Sequence, residues 1–386
     1  MFEQMRNSAS ENTVPDRAGP LSGLRIIEIE SLAPAPFACM LMAQMGADVL
    51  TIRRPAIGDG SGHDLLDRRG PIVDPLQQWR TNLTLDLRDP ASVGRVHEVT
   101  AHADVFVEGF RPGVAERLGI GPDELRSINP RLVYARMTGW GQSGPRASFV
   151  GHDINYMALA GALDPIGTSD GPVPPLNLVG DFGGGGMYLA LGVLAALHDR
   201  EHSGLGDVID VAMVDGIASL MTHVHGLRAS GGWINRRASN SIDGGAPFYT
   251  TYPTSDGLHV AVGAIEPRFF SALLDVLELD PTMAHSQWER NGWGPMRTVF
   301  AERFAARTRD HWDRRCTATE ACVTPVLGVD EVAENEHIRA RGTFSGLAGG
   351  FAIPAAAPRF GKYAVARSSA VGVDELLSNW RNRPAT

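Results

Sequence analysis

One strand–helix–strand unit near the amino terminus constrains the fold of this chain more than any other stretch. Leu24-Arg25-Ile26-Ile27-Glu28-Ile29 reads as a strand from its β-branched content, and Asp48-Val49-Leu50-Thr51-Ile52 reads as a second. Between them Phe37 to Met45 reads as a helix closed by Gly46, after a rigid loop Leu32-Ala33-Pro34-Ala35-Pro36. The unit is βαβ, and Arg53 and Arg54 stand at the carboxyl end of its second strand, the end at which open α/β sheets bind ligands.

The pattern repeats. A strand over Asp104 to Val107 is followed by the turn Glu108-Gly109-Phe110-Arg111-Pro112-Gly113 and a helix from Val114 to Leu118. A short helix, Pro122 to Ile128, leads to strand Arg131 to Met137, and a later strand spans Val208 to Met213. Such alternation predicts an α/β fold with a mostly parallel sheet. Gly58 to Trp79 is rich in Gly, Asp and Pro and reads as a long surface loop, a kind usually functional or mobile. Ile217 to Leu227 reads as a helix, and the irregular stretch Ala229 to Gly245 as a linker. Strand signals over Tyr249 to Glu266, helices over Phe269 to Leu277 and Met296 to Arg307, and Val323-Thr324-Pro325-Val326 suggest a smaller second domain. A length of 386 residues fits two domains, because single cores rarely grow past about 300.

A net charge of −9 argues against a nucleic-acid partner, so an anionic ligand needs a local arginine cluster. The cysteines Cys39, Cys316 and Cys322 form no disulfide framework and fit a reducing, cytoplasmic setting. The apolar run Met187 to Leu197 is too short to span a bilayer, so no membrane role is expected. The polar lead before Gly19 reads as disordered rather than as a signal peptide.

Chemistry-bearing residues concentrate in three places. Gly180-Asp181-Phe182-Gly183-Gly184-Gly185-Gly186-Met187 places a carboxylate on a glycine turn that opens into an apolar helix. Glycines there allow a ligand close to the backbone, and helix N–H groups favour an oxyanion or phosphate. Asp181 reads equally as the cap of a core helix. Gly151-His152-Asp153-Ile154-Asn155-Tyr156 is dense in polar side chains; His152 is either a capping or core histidine or, ordered by a carboxylate, a general base. Glu266, at the end of an apolar strand, is either part of a helix start or a carboxyl whose proton affinity is raised by apolar surroundings. Gly139-Trp140-Gly141-Gln142-Ser143-Gly144 follows a strand, but the Pro145-Arg146-Ala147-Ser148 after it opens no helix, which disfavours dinucleotide binding. His223 and His225 do not share a helix face and no metal is expected; no serine-hydrolase elbow is present.

Several stretches, in order, resemble the α-methylacyl-CoA racemases, a branch of the family III CoA-transferase (CaiB/BaiF-like) superfamily. They include Gly19 to Arg25, Met45 to Val49, Glu108 to Val114, Ala135 to Gln142, Gly151 to Tyr156, Pro174 to Asp181 and Val262 to Pro267. The resemblance implies a large Rossmann-like domain formed by both chain ends (19–228 and 335–386), a linker (229–248), a smaller α+β middle domain (249–334) and an interlocked homodimer. It implies His152 with Asp181 as one acid/base pair and Glu266, from the second subunit, as the other. Leu32, Arg54, Leu85 and Arg117 would line the CoA groove, and Asp153, Tyr156, Asn177 and Tyr249 would surround the thioester. Coenzyme A would enter as part of the substrate, with no separate cofactor. The implied reaction is epimerisation of 2-methylacyl-CoA thioesters through an enolate, its oxygen held by N–H groups near Asp181. The alternative is CoA transfer with Asp181 as nucleophile. The chain departs from the racemase pattern in a longer loop from Gly60 to Asn82, in the extra lead, and in Thr250, where the pattern has an acidic residue.

Overall fold

The structure is a computed structural model, and it describes residues 19–55, 74–348, 351–363 and 371–382. The expected lead over 1–18 and most of the expected long loop therefore lie outside the described residues.

In chain order the regular elements begin with β1 (Arg25–Ile29), α1 (Pro34–Gln44), β2 (Asp48–Arg53), β3 (Thr81–Thr84), α2 (Pro90–Thr100) and β4 (Val105–Glu108). Next come α3 (Val114–Arg117), α4 (Pro122–Ile128), β5 (Val133–Thr138), α5 (Asp153–Leu159) and a two-residue hairpin of β6 (Gly167–Thr168) and β7 (Gly171–Pro172). A π-helical segment, Leu178–Gly186, runs without a break into α6 (Met187–Ser203), followed by β8 (Val208–Ala212), α7 (Met213–Leu220) and α8 (Thr222–Ala229). The remainder is β9 (Tyr249–Pro253), β10 (His259–Gly263), α9 (Pro267–Val276), α10 (Trp293–Ala305), α11 (Arg309–Cys316), β11 (Val323–Pro325), α12 (Glu336–Arg341), β12 (Phe344–Ala348), β13 (Phe351–Pro354) and α13 (Val373–Asn382).

By its internal contacts the chain forms two compact units. One comprises Met1–Asp153, Leu178–Gly216 and Ser345–Thr386; the other comprises Ile154–Asn177 and Ile217–Phe344. The first unit is built on a six-stranded sheet in the order β3-β2-β1-β4-β5-β8, parallel throughout. Chain order reverses between β1 and β4, which makes their carboxyl ends the switch point of the sheet. Every residue of β1 is buried, as a central parallel strand covered on both faces requires. Ile27 and Ile29 join a core with Val96 and Val99 of α2, Leu125 of α4, and Leu376, Leu377 and Trp380 of α13. The alternate position Glu28 faces the other way and accepts from Thr51 (2.9 Å) and Arg80, whose guanidinium also binds the Pro36 carbonyl of α1.

Three local readings need correction. Pro34 to Pro36 is not a loop: Pro34 starts α1, because proline suits a first helical turn, where its missing N–H has no partner to lose. Gly46 does end that helix, at φ 101°, with Ser22 Oγ 2.9 Å from where a Cβ would stand. The helix expected over Ile217 to Leu227 is two helices broken at Met221. The glycine turn expected at Asp181 is the π-helical segment itself, so the apolar helix is longer than Met187 to Leu197. The continuous helix Leu178–Ser203 has 26 residues and is long and apolar enough to cross a membrane by length and composition alone. In this unit it packs on α1, β5 and β8, and buried Arg200 near its end pairs with Asp104 at 3.3 Å.

The second unit holds the antiparallel sheet β11-β10-β9 against α9, α10 and α11. Its core is aromatic: Phe248, Tyr252, Phe270, Phe300 and Phe304 are fully or almost fully buried, with Trp293 and Trp312 beside them. The irregular stretch before β9 is pinned by buried Asn240, whose side chain bonds both the N–H and the carbonyl of Ile234 (2.8 and 2.9 Å).

Two glycines of the first unit test the packing. A Cβ on Gly216 would stand 1.9 Å from the Gly184 carbonyl oxygen, whereas one on Gly94, on the exposed side of α2, meets nothing within 4 Å. We expect Gly216→Ala to lower the unfolding free energy in urea titrations by roughly 1–3 kcal/mol or more. Gly94→Ala should raise it by about 0.5–1 kcal/mol. Equal effects of the two substitutions would contradict this packing.

Candidate active site

The residues expected to line a CoA groove gather on one edge of the parallel sheet. Leu32 follows β1 and is 51% exposed; Arg54 follows β2 and is exposed; half-buried Leu85 follows β3 and packs on the core; Arg117 closes α3, the helix after β4. All four thus follow the carboxyl ends of adjacent strands. The loops after β1 and β4 touch at the switch point, where a Cβ on Gly109 would lie 3.1 Å from that of Ser31. The two neighbouring arginines differ. Arg53 is committed to Glu30 at 2.9 Å, and the Arg54 N–H also reaches Glu30 (3.2 Å). The Arg117 guanidinium lies 3.3 Å from where a Cβ on Gly113 (φ 79°) would stand.

Beneath that edge lies a charge cluster that sequence reasoning missed. Fully buried Glu108, the last residue of β4, accepts from Arg136 Nε at 3.0 Å and from the Phe110 N–H at 2.6 Å. Arg136 spans outward to Glu116 of α3 at 2.8 Å. Burial pushes the Glu108 carboxyl up to about 7, against the pull of the Phe110 N–H and of Arg136. Glu108 and Arg136 are register partners in the parallel pair β4–β5, the one signal from which their meeting follows.

His152, Asp153 and Asp181 all belong to the first unit. His152 is exposed and stands just before α5; Asp181 is half-buried in the first turn of the π-helical segment. The residue between them in role is Asp153. Its carboxylate accepts the Asp181 N–H at 2.7 Å and also the N–H of Gly180. Partial burial raises the Asp153 carboxyl above its ordinary range, and these two N–H groups oppose the rise. Capping of this helix therefore falls to Asp153 rather than to Asp181. Two of the N–H groups expected to hold an enolate oxygen are occupied by it.

The glycines also turn out differently. Gly184, Gly185 and Gly186 are buried, and their missing side chains admit protein, not ligand. A Cβ on Gly185 would stand 3.0 Å from Pro34 Cβ and 3.1 Å from Met213 Cγ; one on Gly186 would stand 2.7 Å from the Pro34 carbonyl and 2.8 Å from Phe37. Phe37 and Phe182 pack with ring centroids 4.6 Å apart. The run lets the helix carrying Asp181 lie directly on α1.

The remaining expected residues belong to the second unit. Tyr156 is buried in α5 and Asn177 is half-buried. Tyr249 opens β9 opposite Gly263 of β10, so Tyr249 and Glu266 share one end of the small sheet, both exposed. Glu266 is the cap residue of α9, at φ −71° and ψ 144°, with Pro267 fixing the first turn.

A sequence model of CoA-transferase family III matches residues 21–370. The chain belongs to CoA-transferase family III. Within that family it is 43% identical over 325 residues to the human protein named alpha-methylacyl-CoA racemase, covering 84% of this chain and 82% of that one. The mouse protein of the same name is 44% identical over the same shares. A solved CaiB/BaiF family protein from Brucella suis superposes with a TM-score of 0.76 at 23% identity, covering 94% of this chain and 98% of the other; it has the same mixed α/β fold.

The elevated Glu108 affinity has a measurable consequence. Its folded-state value near 7 lies above the ordinary 4.5, so between these pH values the folded protein binds more protons than the unfolded chain. The stabilisation is complete below pH 4.5 and is lost as pH rises through 7, by up to about 3 kcal/mol. Urea unfolding from pH 5 to 8 should show this decline in the native protein relative to Glu108→Gln. Parallel pH profiles for the two would contradict it.

Proposed function

We propose that this family III chain epimerises the α-carbon of 2-methylacyl-CoA thioesters by 1,1-proton transfer. The observation that carries the reading is the fastening of the His152 stretch to the Asp181 helix through Asp153, which sets an exposed imidazole and a carboxylate on one local scaffold. Its likeness to proteins named racemases over most of the chain points the same way.

Inversion next to a thioester needs a base on one face of the α-carbon and an acid on the other, each able to exchange roles. His152, oriented by Asp181, serves one face as base in one direction and acid in the other. Glu266 serves the other. Between the two transfers the substrate is a planar enolate, whose oxygen needs preorganised hydrogen-bond donors. Arg54 and Arg117 grip the phosphates of CoA, which is the carrier part of the substrate; no further cofactor takes part. Leu32 and Leu85 flank its apolar portions, and Tyr156, Asn177 and Tyr249 enclose the thioester.

Two copies of the chain complete the site, with Glu266 contributed by the second copy. The exposure of Glu266 supports this, as does the apolar face of the long helix, where Leu178, Met187 and Leu191 are 51–62% exposed. In the alternative, CoA transfer, Asp181 attacks an acyl-CoA and passes through an anhydride and an enzyme–CoA thioester. That route requires neither His152 nor Glu266.

His152→Ala and Glu266→Gln should each lower the rate of epimer interconversion by about 10²–10⁴-fold while CoA binding and the association state stay unchanged. Chiral chromatography of the hydrolysed acids reads the rate. Full activity in either variant would overturn the assignment, and a hydroxylamine-trappable acyl group on Asp181 would favour the transferase.

A further inference from the structure

Glu266 owes its position to a backbone turn, and that turn is held by a side chain far along the sequence. Residues 263–266 leave β10 and enter α9 through a run of backbone hydrogen bonds: Gly263 N–H to Cys322 (2.9 Å), Ala264 N–H to Phe248 (2.9 Å), Ile265 N–H to Gly263 (3.0 Å), and Phe270 N–H to the Glu266 carbonyl (2.9 Å). The carbonyls of Ala264 and Ile265 look inward, and Ala264 is fully buried. Both are met by one group, the side-chain amide of Gln287, whose Nε2 donates to Ala264 at 3.3 Å and to Ile265 at 2.8 Å. Gln287 is itself 2% exposed, and its backbone carbonyl accepts from Trp293 Nε1 at 2.8 Å, which fixes the main chain from which the amide reaches out.

We propose that Gln287 is a positioning residue for Glu266, setting where its carboxyl enters the reaction by anchoring the two peptide units that precede it. The physical reason is that a buried carbonyl left without a donor turns toward water, and here two such carbonyls immediately precede the Cα that carries the carboxyl. Pro267 fixes the chain on the far side, so the freedom that remains lies in the Ala264–Ile265 peptides, which Gln287 removes. Misplacement by about an ångström is enough to lower a proton-transfer rate on the order of 10²-fold. This inference rests on the proton-transfer reading above and adds to it the device that aims one of the two bases.

A role in positioning one base predicts an asymmetry that a general loss of stability does not. Each epimer of a 2-methylacyl-CoA is incubated separately in D₂O, and the initial rate of α-deuterium entry is measured. In Gln287→Leu, which keeps the volume and removes the donors, the epimer deprotonated by Glu266 should exchange on the order of 10²-fold more slowly, with KM unchanged. The epimer deprotonated by His152 should exchange within about threefold of the native rate, because its own deprotonation and re-protonation do not use Glu266. Gln287→Glu is the second variant. Its carboxylate repels the two carbonyls when ionised and donates one hydrogen bond when protonated, so the asymmetry should shrink as pH falls from 8 to 5. Equal slowing of both epimers, or slowing of neither, overturns the positioning role, as does failure of both variants to fold. Absence of exchange from either epimer in the native protein overturns instead the proton-transfer reading itself.

Discussion

The functional arrangement depends on one carboxylate that does no chemistry. Asp153 accepts the N–H groups of Gly180 and Asp181, and through them joins the start of α5 to the start of a 26-residue helix. Both ends of that link carry a residue of the proposed acid/base pair: His152 precedes Asp153, and Asp181 is the residue whose N–H is bound. A negative charge at the amino end of a long helix is favourable in itself, and here the same charge fixes local geometry. Gly180 is required for the contact, since a Cβ there would overlap the Asp153 carboxylate at 2.2 Å.

The rest of the first unit supplies rigidity to that link. Buried ionic pairs sit at both ends of the parallel strands. At the amino ends, Arg25 donates to Asp104 (2.9 Å), which also pairs with Arg200 of α6. At the carboxyl ends, Arg136 joins Glu108 and Glu116, and Glu28 with Arg80 ties β1 to the start of α1. Such pairs are poor sources of net stability, because desolvation offsets much of their attraction. Their effect is to fix strand register and loop direction. The loops so directed bear Leu32, Arg54, Leu85 and Arg117.

Much of this was legible in the sequence, for identifiable reasons. The strands over Arg25–Ile29 and Asp48–Arg53 announce themselves by β-branched content, and the short helix at Pro122 by its proline start. What escaped lacks such contrast. β3 is Thr-Asn-Leu-Thr, half polar because it is an edge strand, and α2 shows only Val93, Val96 and Val99 on one face. α13 is short, and its burial of Trp380 in the core of distant β1 is a long-range contact that no local pattern encodes. In the sequence the glycine run signals room for a ligand, whereas the room at Gly185 and Gly186 is filled by Pro34, Phe37 and Met213, residues remote in sequence. Gln287 escaped for the same reason: nothing around it signals a tie to a turn more than twenty residues earlier.

The central claim is that protons move on and off one carbon from two faces, without any second carboxylic acid. One optically pure 2-methylacyl-CoA, supplied to the native protein in D₂O with no acyl acceptor, tests it most directly. Proton transfer predicts that the opposite epimer accumulates and that it carries deuterium at the α-carbon. An unlabelled, uninverted thioester that changes only when a free acid is added would contradict the account.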